Sequence, residues 1–143
     1  MKNLYEVFGE FETASNREEK INVLRSNRSY ALDCVLRGTF HPGIKYVFNE
    51  IPQYKDSLSP PGLGYTNIHQ ELDRVYLYEQ NNPKASPNLT LEKRKSLLIQ
   101  TLESMEKRES DIFAGMIMKK LPVKGLTYKL VVEAFPDLLP NDI

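Results

Sequence analysis

A chain of 143 residues has room for one ordinary hydrophobic core, and 41% hydrophobic with 27% charged residues lies outside the weakly hydrophobic, highly charged compositions that stay disordered. Nineteen Lys and Arg balance nineteen Asp and Glu, which excludes an overall field drawing the protein to nucleic acid or to an anionic membrane; any such binding must come from a local patch. The one cysteine excludes an intramolecular disulfide framework, and no apolar run approaches the roughly 18 residues of a spanning helix, so a single cytoplasmic domain without a membrane partner is expected.

The opening segment places Leu4, Val7, Phe8 and Phe11 at helical spacing with acids between them, which predicts a first helix ending near Thr13. Ser15-Asn16-Arg17-Glu18 reads as a capping box for a second helix that carries Ile21 and Leu24 inward. A third apolar stretch runs from Tyr30 to Arg37 and is expected to stop at Gly38, a natural helix terminator. Its neighbours Ala31, Leu32, Val35 and Leu36 predict a buried Cys34. After the Pro42-Gly43 turn, Ile44 to Phe48 fits a short helix or a strand, with the helix favoured.

Residues 52–66 are rich in proline and glycine, including Pro60-Pro61-Gly62-Leu63-Gly64, and predict a long surface loop. Thr66 or Asn67 then caps a helix whose stripe is Ile68, Leu72, Val75, Tyr76 and Tyr78, ending near Asn81-Asn82-Pro83. A further helix from Leu91 to Met105 buries Leu91, Leu98, Leu102 and Met105, and its Glu92 to Lys95 run is a solvated face. Ser110 is expected to begin the next, carrying Ile112, Phe113, Met116 and Ile117 to about Leu121 before Pro122. The last runs from Thr127 to Phe135. The class is all-α, one multi-helix domain over residues 1–143.

The chemical inventory is thin. His41 and His69 have no metal-site spacing, and Gly62-Leu63-Gly64 follows prolines rather than a strand, so it does not read as a phosphate loop. Glu103, Glu106 and Glu109 read as ordinary helix-surface charges. No cofactor, no metal and no catalytic activity are expected. What stands out is the run Met118-Lys119-Lys120-Leu121-Pro122-Val123-Lys124-Gly125-Leu126-Thr127-Tyr128-Lys129, which holds lysines without an acid. A helix ends there, the chain turns at Gly125, and Thr127 caps a new helix, so amides, a hydroxyl and lysines all become available to a phosphate. The alternative is a basic loop whose lysines serve the preceding helix terminus.

Ile21 to Asn27, Leu36 to Tyr46 with its central Pro42-Gly43-Ile44-Lys45-Tyr46, and the close from Gly125 through Phe135-Pro136 to Leu138-Leu139-Pro140 together resemble the N-terminal DNA-binding domain of the ATP-dependent DNA ligases of T-even-type phages. Lys120-Leu121-Pro122-Val123-Lys124-Gly125-Leu126-Thr127 and Ala134-Phe135-Pro136-Asp137-Leu138-Leu139 also resemble patterns shared by uncharacterised proteins of tailed phages. The ligase resemblance implies an all-helical domain gripping duplex DNA by its backbone across the minor groove. Carried onto this chain, it implies phosphate-facing positions at Gly125, Leu126 and Thr127, with His41, Gly43 and Lys45 in the matching earlier turn; Lys119, Lys120, Lys124 and Lys129 are candidates from the composition of the run itself. The ligase's nucleotidyltransferase domain with its active lysine has no counterpart here, so ligation is not implied. Two functions compete: a phage-encoded accessory module for double-stranded DNA, and an adaptor for a phage or host replication or transcription protein that uses the proline-rich loop and the tail from Phe135 to Ile143.

Overall fold

Helix starts in this chain are set by small polar side chains that accept from amides left without an intrahelical partner, each worth about 1 kcal/mol. The computed structural model describes residues 2–56 and 66–140. Asn16 caps α2 (Arg17–Ser26), Ser29 caps α3 (Tyr30–Phe40), and Asn67 caps α4 (Ile68–Leu72). Thr90 does the same for α5 (Leu91–Ser104), Glu106 for α6 (Lys107–Ile117) and Thr127 for α7 (Tyr128–Ala134). α1 spans Leu4–Thr13 without a side-chain cap, and a 3-10 turn occupies Val75–Tyr78. The described residues contain no strand, only one isolated antiparallel bridge between Tyr46 and Glu79. The expected all-α class is what the chain forms.

One core joins these elements. α6 lies in its middle, packed on α1, α3, α4 and α5, because it buries Ile112, Phe113, Met116 and Ile117 and also the side chains of Glu109 and Ser110. α2 packs against both α1 and α7. Closing α7 against α2, Arg25 donates to the carbonyls of Ala134 and Glu133, and Arg17 pairs with Glu133. The tail beyond α7 belongs to the same core: Phe135 and Leu139 are buried, and Arg28 stacks over the Phe135 ring while binding Asp137. The described part of that tail, to Pro140, is therefore not a free docking segment.

Several boundaries differ from those the sequence suggests, each for a tertiary reason. The capping box is displaced by one residue, since Asn16 accepts from Glu19 and the Glu19 carboxylate accepts from the Ser15 amide. α3 does not stop at Gly38 but runs on to Phe40. Gly38 is there for close packing: a Cβ would lie 2.7 Å from Tyr46 Oη and 2.8 Å from Met116 Sδ. Ile44 to Phe48 is not helical; Tyr46 forms an isolated bridge with Glu79, with Val47 donating to Tyr78 and Gln80 to Lys45.

The α4 stripe breaks into a five-residue helix and the 3-10 turn, leaving Val75 and Tyr76 only partly covered. Leu91 points outward and is 54% exposed, because it opens α5 before that helix reaches the core. Ser110 lies inside α6, not at its start, and its buried hydroxyl donates to the Leu102 carbonyl at the end of α5. α6 ends at Ile117 rather than near Leu121. Cys34 is half-buried, not fully enclosed. Of the proline-rich loop, residues 57–65, including Gly62-Leu63-Gly64, lie outside the described residues, as do Asn141 to Ile143.

Candidate nucleic-acid interface

The connection from α6 to α7 begins with a tight helix terminus. Lys119 takes a left-handed conformation (φ 61°), its amide donates to Met116, and the Lys120 amide reaches back to Gly115. This is the paired-bond ending usually built on glycine. The turn can fold onto α6 only because Gly115 has no side chain: a Cβ would lie 2.9 Å from the Lys120 carbonyl oxygen and 2.9 Å from Pro122 Cδ. A lysine in a left-handed conformation costs about 1 kcal/mol. Its side chain offsets that cost.

The Lys119 ammonium donates to the carbonyls of Gly38 at 3.1 Å, His41 at 2.9 Å and Ile44 at 2.8 Å, and lies 5.7 Å from the centre of the Tyr46 ring. It thus closes the C-terminus of α3, where unpaired carbonyls concentrate negative partial charge. Burial pushes its pKa down from the ordinary lysine value. As a phosphate ligand Lys119 is corrected: its three donors are committed inside the protein. In that position it ties the His41–Lys45 turn to the α6–α7 connection.

A second contact joins the same regions. The Phe40 and Tyr128 rings meet edge to face at 6.5 Å, placing the start of α7 beside the end of α3. Gly125 has φ 82°, a conformation that favours glycine, and lies against Phe11 and Lys20. Lys20, which the sequence did not single out, donates to the Phe11 carbonyl at 2.8 Å and stacks on its ring, closing α1 as Lys119 closes α3. No sequence signal marks it, since the contact depends on how α2 folds back on α1.

The other expected contacts divide. Gly125 and Thr127 are exposed and Leu126 is partly so, and among the described residues their amides donate to no protein acceptor. The Thr127 hydroxyl accepts from Leu130. The Gly43 amide is not free, because it donates to His41 Nδ1 at 3.0 Å. Lys45, Lys120, Lys124 and Lys129 are exposed, and no ion pair among the described residues engages them. The Lys124 amide is occupied by the Glu12 carboxylate at 2.8 Å, an acid that the run itself does not contain.

Fold and site together define a small all-helical domain in which the His41–Lys45 turn is tied to the start of the α6–α7 connection. No protein-family model matches the chain, and no curated protein is significantly similar to it. Among the described residues no helix is long and apolar enough to cross a membrane, and no group of three His, Cys, Asp or Glu is placed to hold a metal ion.

Proposed function

We propose that the protein is a non-catalytic DNA-binding accessory module, phage-encoded as its ligase resemblance suggests, that contacts the duplex backbone through these joined turns without strong sequence preference. The observation that carries this reading is the Lys119 bridge, which holds the His41–Lys45 turn against the α6–α7 connection while the ammonium groups of Lys45, Lys120, Lys124 and Lys129 stay in solvent. Backbone contacts of this kind position a protein and carry no base information. The chain's charge balance makes the interaction weak and salt-sensitive. Glu12 opposes it, since its carboxylate takes an amide that a phosphate would otherwise meet.

The test is titration of a labelled duplex at two salt concentrations with wild type, a variant carrying Lys→Gln at 45, 120, 124 and 129, and Glu12→Gln. Lys119 is kept, because removing it would disturb the fold. The four-lysine variant should bind all sequences more weakly, with a salt dependence flattened by about 0.9 in logarithmic slope for each lysine that meets a phosphate. Glu12→Gln should bind more tightly. Equal affinity of the four-lysine variant and wild type would eliminate this surface, and no binding by wild type would eliminate the function.

A further inference from the structure

The loop from Gln80 to Leu89 and the start of α5 line an open cleft of about 900 Å³, within the roughly 300–1,000 Å³ range of small-ligand clefts. Its apolar lining includes Val47, Ala85, Leu89 and Leu91, and Leu91 is 54% exposed. Arg94 is the one charged residue lining it; among the described residues no Asp, Glu or Lys does so. The guanidinium is anchored, since Nε donates to the Leu77 carbonyl at 2.8 Å. Its two terminal nitrogens enter no hydrogen bond or ion pair among the described residues. Other polar groups of the lining are largely spent. The Gln80 side chain donates to the Tyr46 carbonyl, Asn82 serves the Lys84 amide and the Glu79 carboxylate, and the Ser86 hydroxyl accepts from the Asn88 amide. Glu79 itself lines a different groove, with Tyr30 and Tyr76. Backbone bonds from Ala85 to Asn82 and from Leu89 to Ser86 hold the loop wall in shape.

A ligand matched to this lining has one anionic group and a largely apolar remainder. With Nε taken, a guanidinium still presents its two terminal nitrogens side by side, a spacing that both oxygens of a planar carboxylate meet. The single charge of a carboxylate is balanced by Arg94 alone, whereas a phosphate monoester, with nearly two charges at neutral pH, is left half neutralised beside apolar walls. An extended peptide finds no open ladder here, because the Val47 and Gln80 amides are committed to the Tyr78 and Lys45 carbonyls. We propose that this cleft binds a small free organic acid, its carboxylate on Arg94 and its short aliphatic or aromatic body against Val47, Ala85, Leu89 and Leu91. This site stands apart from the duplex surface, since Lys45, Lys120, Lys124 and Lys129 do not line it.

The test is titration of the isotope-labelled protein, followed by two-dimensional NMR, with hexanoate, hexanamide, acetate, inorganic phosphate, and an N-acetylated tripeptide ending in leucine. Hexanoate should shift the Ala85, Leu89 and Leu91 amides and the Arg94 side-chain signal saturably. Hexanamide, without the charge, and acetate, without the apolar body, should each bind at least about tenfold more weakly. Arg94→Gln should lose hexanoate binding, and Arg94→Lys should lose most of it, since an ammonium lacks the fork. Leu91→Asp tests the site without touching the Leu77 anchor: an acid suits the first turn of a helix, so folding is kept, while the new charge opposes the carboxylate. The four-lysine variant should bind hexanoate as wild type does, so this proposal and the duplex reading fail separately. No shift with hexanoate, equal binding of hexanamide, acetate or phosphate, or unchanged binding by Arg94→Gln or Leu91→Asp would overturn the proposal. Tighter binding of the tripeptide would overturn it in favour of a chain end.

Discussion

Lys119 Nζ lies 2.8 Å from the carbonyl oxygen of Ile44, a contact spanning 75 residues of sequence. Through it and two further carbonyls, one side chain closes α3, anchors the Pro42-Gly43 turn and justifies its own left-handed backbone. Two substitutions separate these effects. Lys119→Met keeps the strained conformation and loses the bonds, and should cost about 2 kcal/mol. Lys119→Gly also loses them but relaxes the backbone, recovering about 1 kcal/mol. Urea unfolding of both variants measures the difference: equal stabilities would refute the strain, and wild-type stability in both would refute the bridge.

Two helical glycines should respond in opposite directions. Around Gly9 in α1 nothing lies within 4 Å of a built Cβ, so Gly9→Ala should stabilise by about 0.5–1 kcal/mol through helix propensity alone. At Gly38 the same change forces a methyl group against the Tyr46 hydroxyl and Met116 sulfur, and should destabilise by about 1–3 kcal/mol despite the better propensity. Thermal unfolding of the pair decides whether packing or propensity rules at each site. A stabilised Gly38→Ala would show that α3 and α6 are less tightly joined than these distances imply.

The helices were legible in the sequence wherever the cause was local. Leu4, Val7, Phe8 and Phe11 announce α1, and Thr90 and Thr127 announce the starts of α5 and α7, because periodicity and capping involve residues within a few positions. The failures share a physical origin. Gly38 resembles a helix terminator until Tyr46 and Met116 are placed beside it, and Ser110 resembles a cap until the Leu102 carbonyl is found above it. In the candidate site, Gly125 and Thr127 were readable as a turn and a cap. That Lys119 faces inward, that Glu12 occupies the Lys124 amide and that Lys20 closes α1 all depend on tertiary contacts.

Arg28 should act as the fastener of the C-terminal tail. It binds Asp33 and Asp137 in forked geometry and lies 4.3 Å from the Phe135 ring centre. Because it is partly solvated, its removal should cost only about 1 kcal/mol globally. Amide exchange around Leu138 and Leu139 should nevertheless accelerate clearly in Arg28→Met, and in Arg28→Lys nearly as much, since an ammonium cannot reproduce the planar fork. Unchanged exchange in Arg28→Met would mean that burial of Phe135 and Leu139 alone secures the tail.

Glu109 gives a pH dependence whose sign can be worked out. Its side chain is buried under α4, and burial pushes its pKa above the ordinary 4.5; the Ile68 amide and His69 pull the other way, and Glu106 adds to the rise. The folded protein therefore holds this proton more tightly than the unfolded chain. Its contribution to stability is full below the ordinary value and is lost as pH rises through the folded value. Asp137 behaves oppositely, because Arg28 lowers its pKa below 3.8, but its effect falls at lower pH. Glu109→Gln keeps an oxygen for the Ile68 amide and removes the charge. Compared with wild type, it should be of similar stability near pH 4 and more stable at pH 7. Urea unfolding at steps between these values traces the difference, and parallel wild-type and variant curves would show that Glu109 is solvated well enough to ionise without cost.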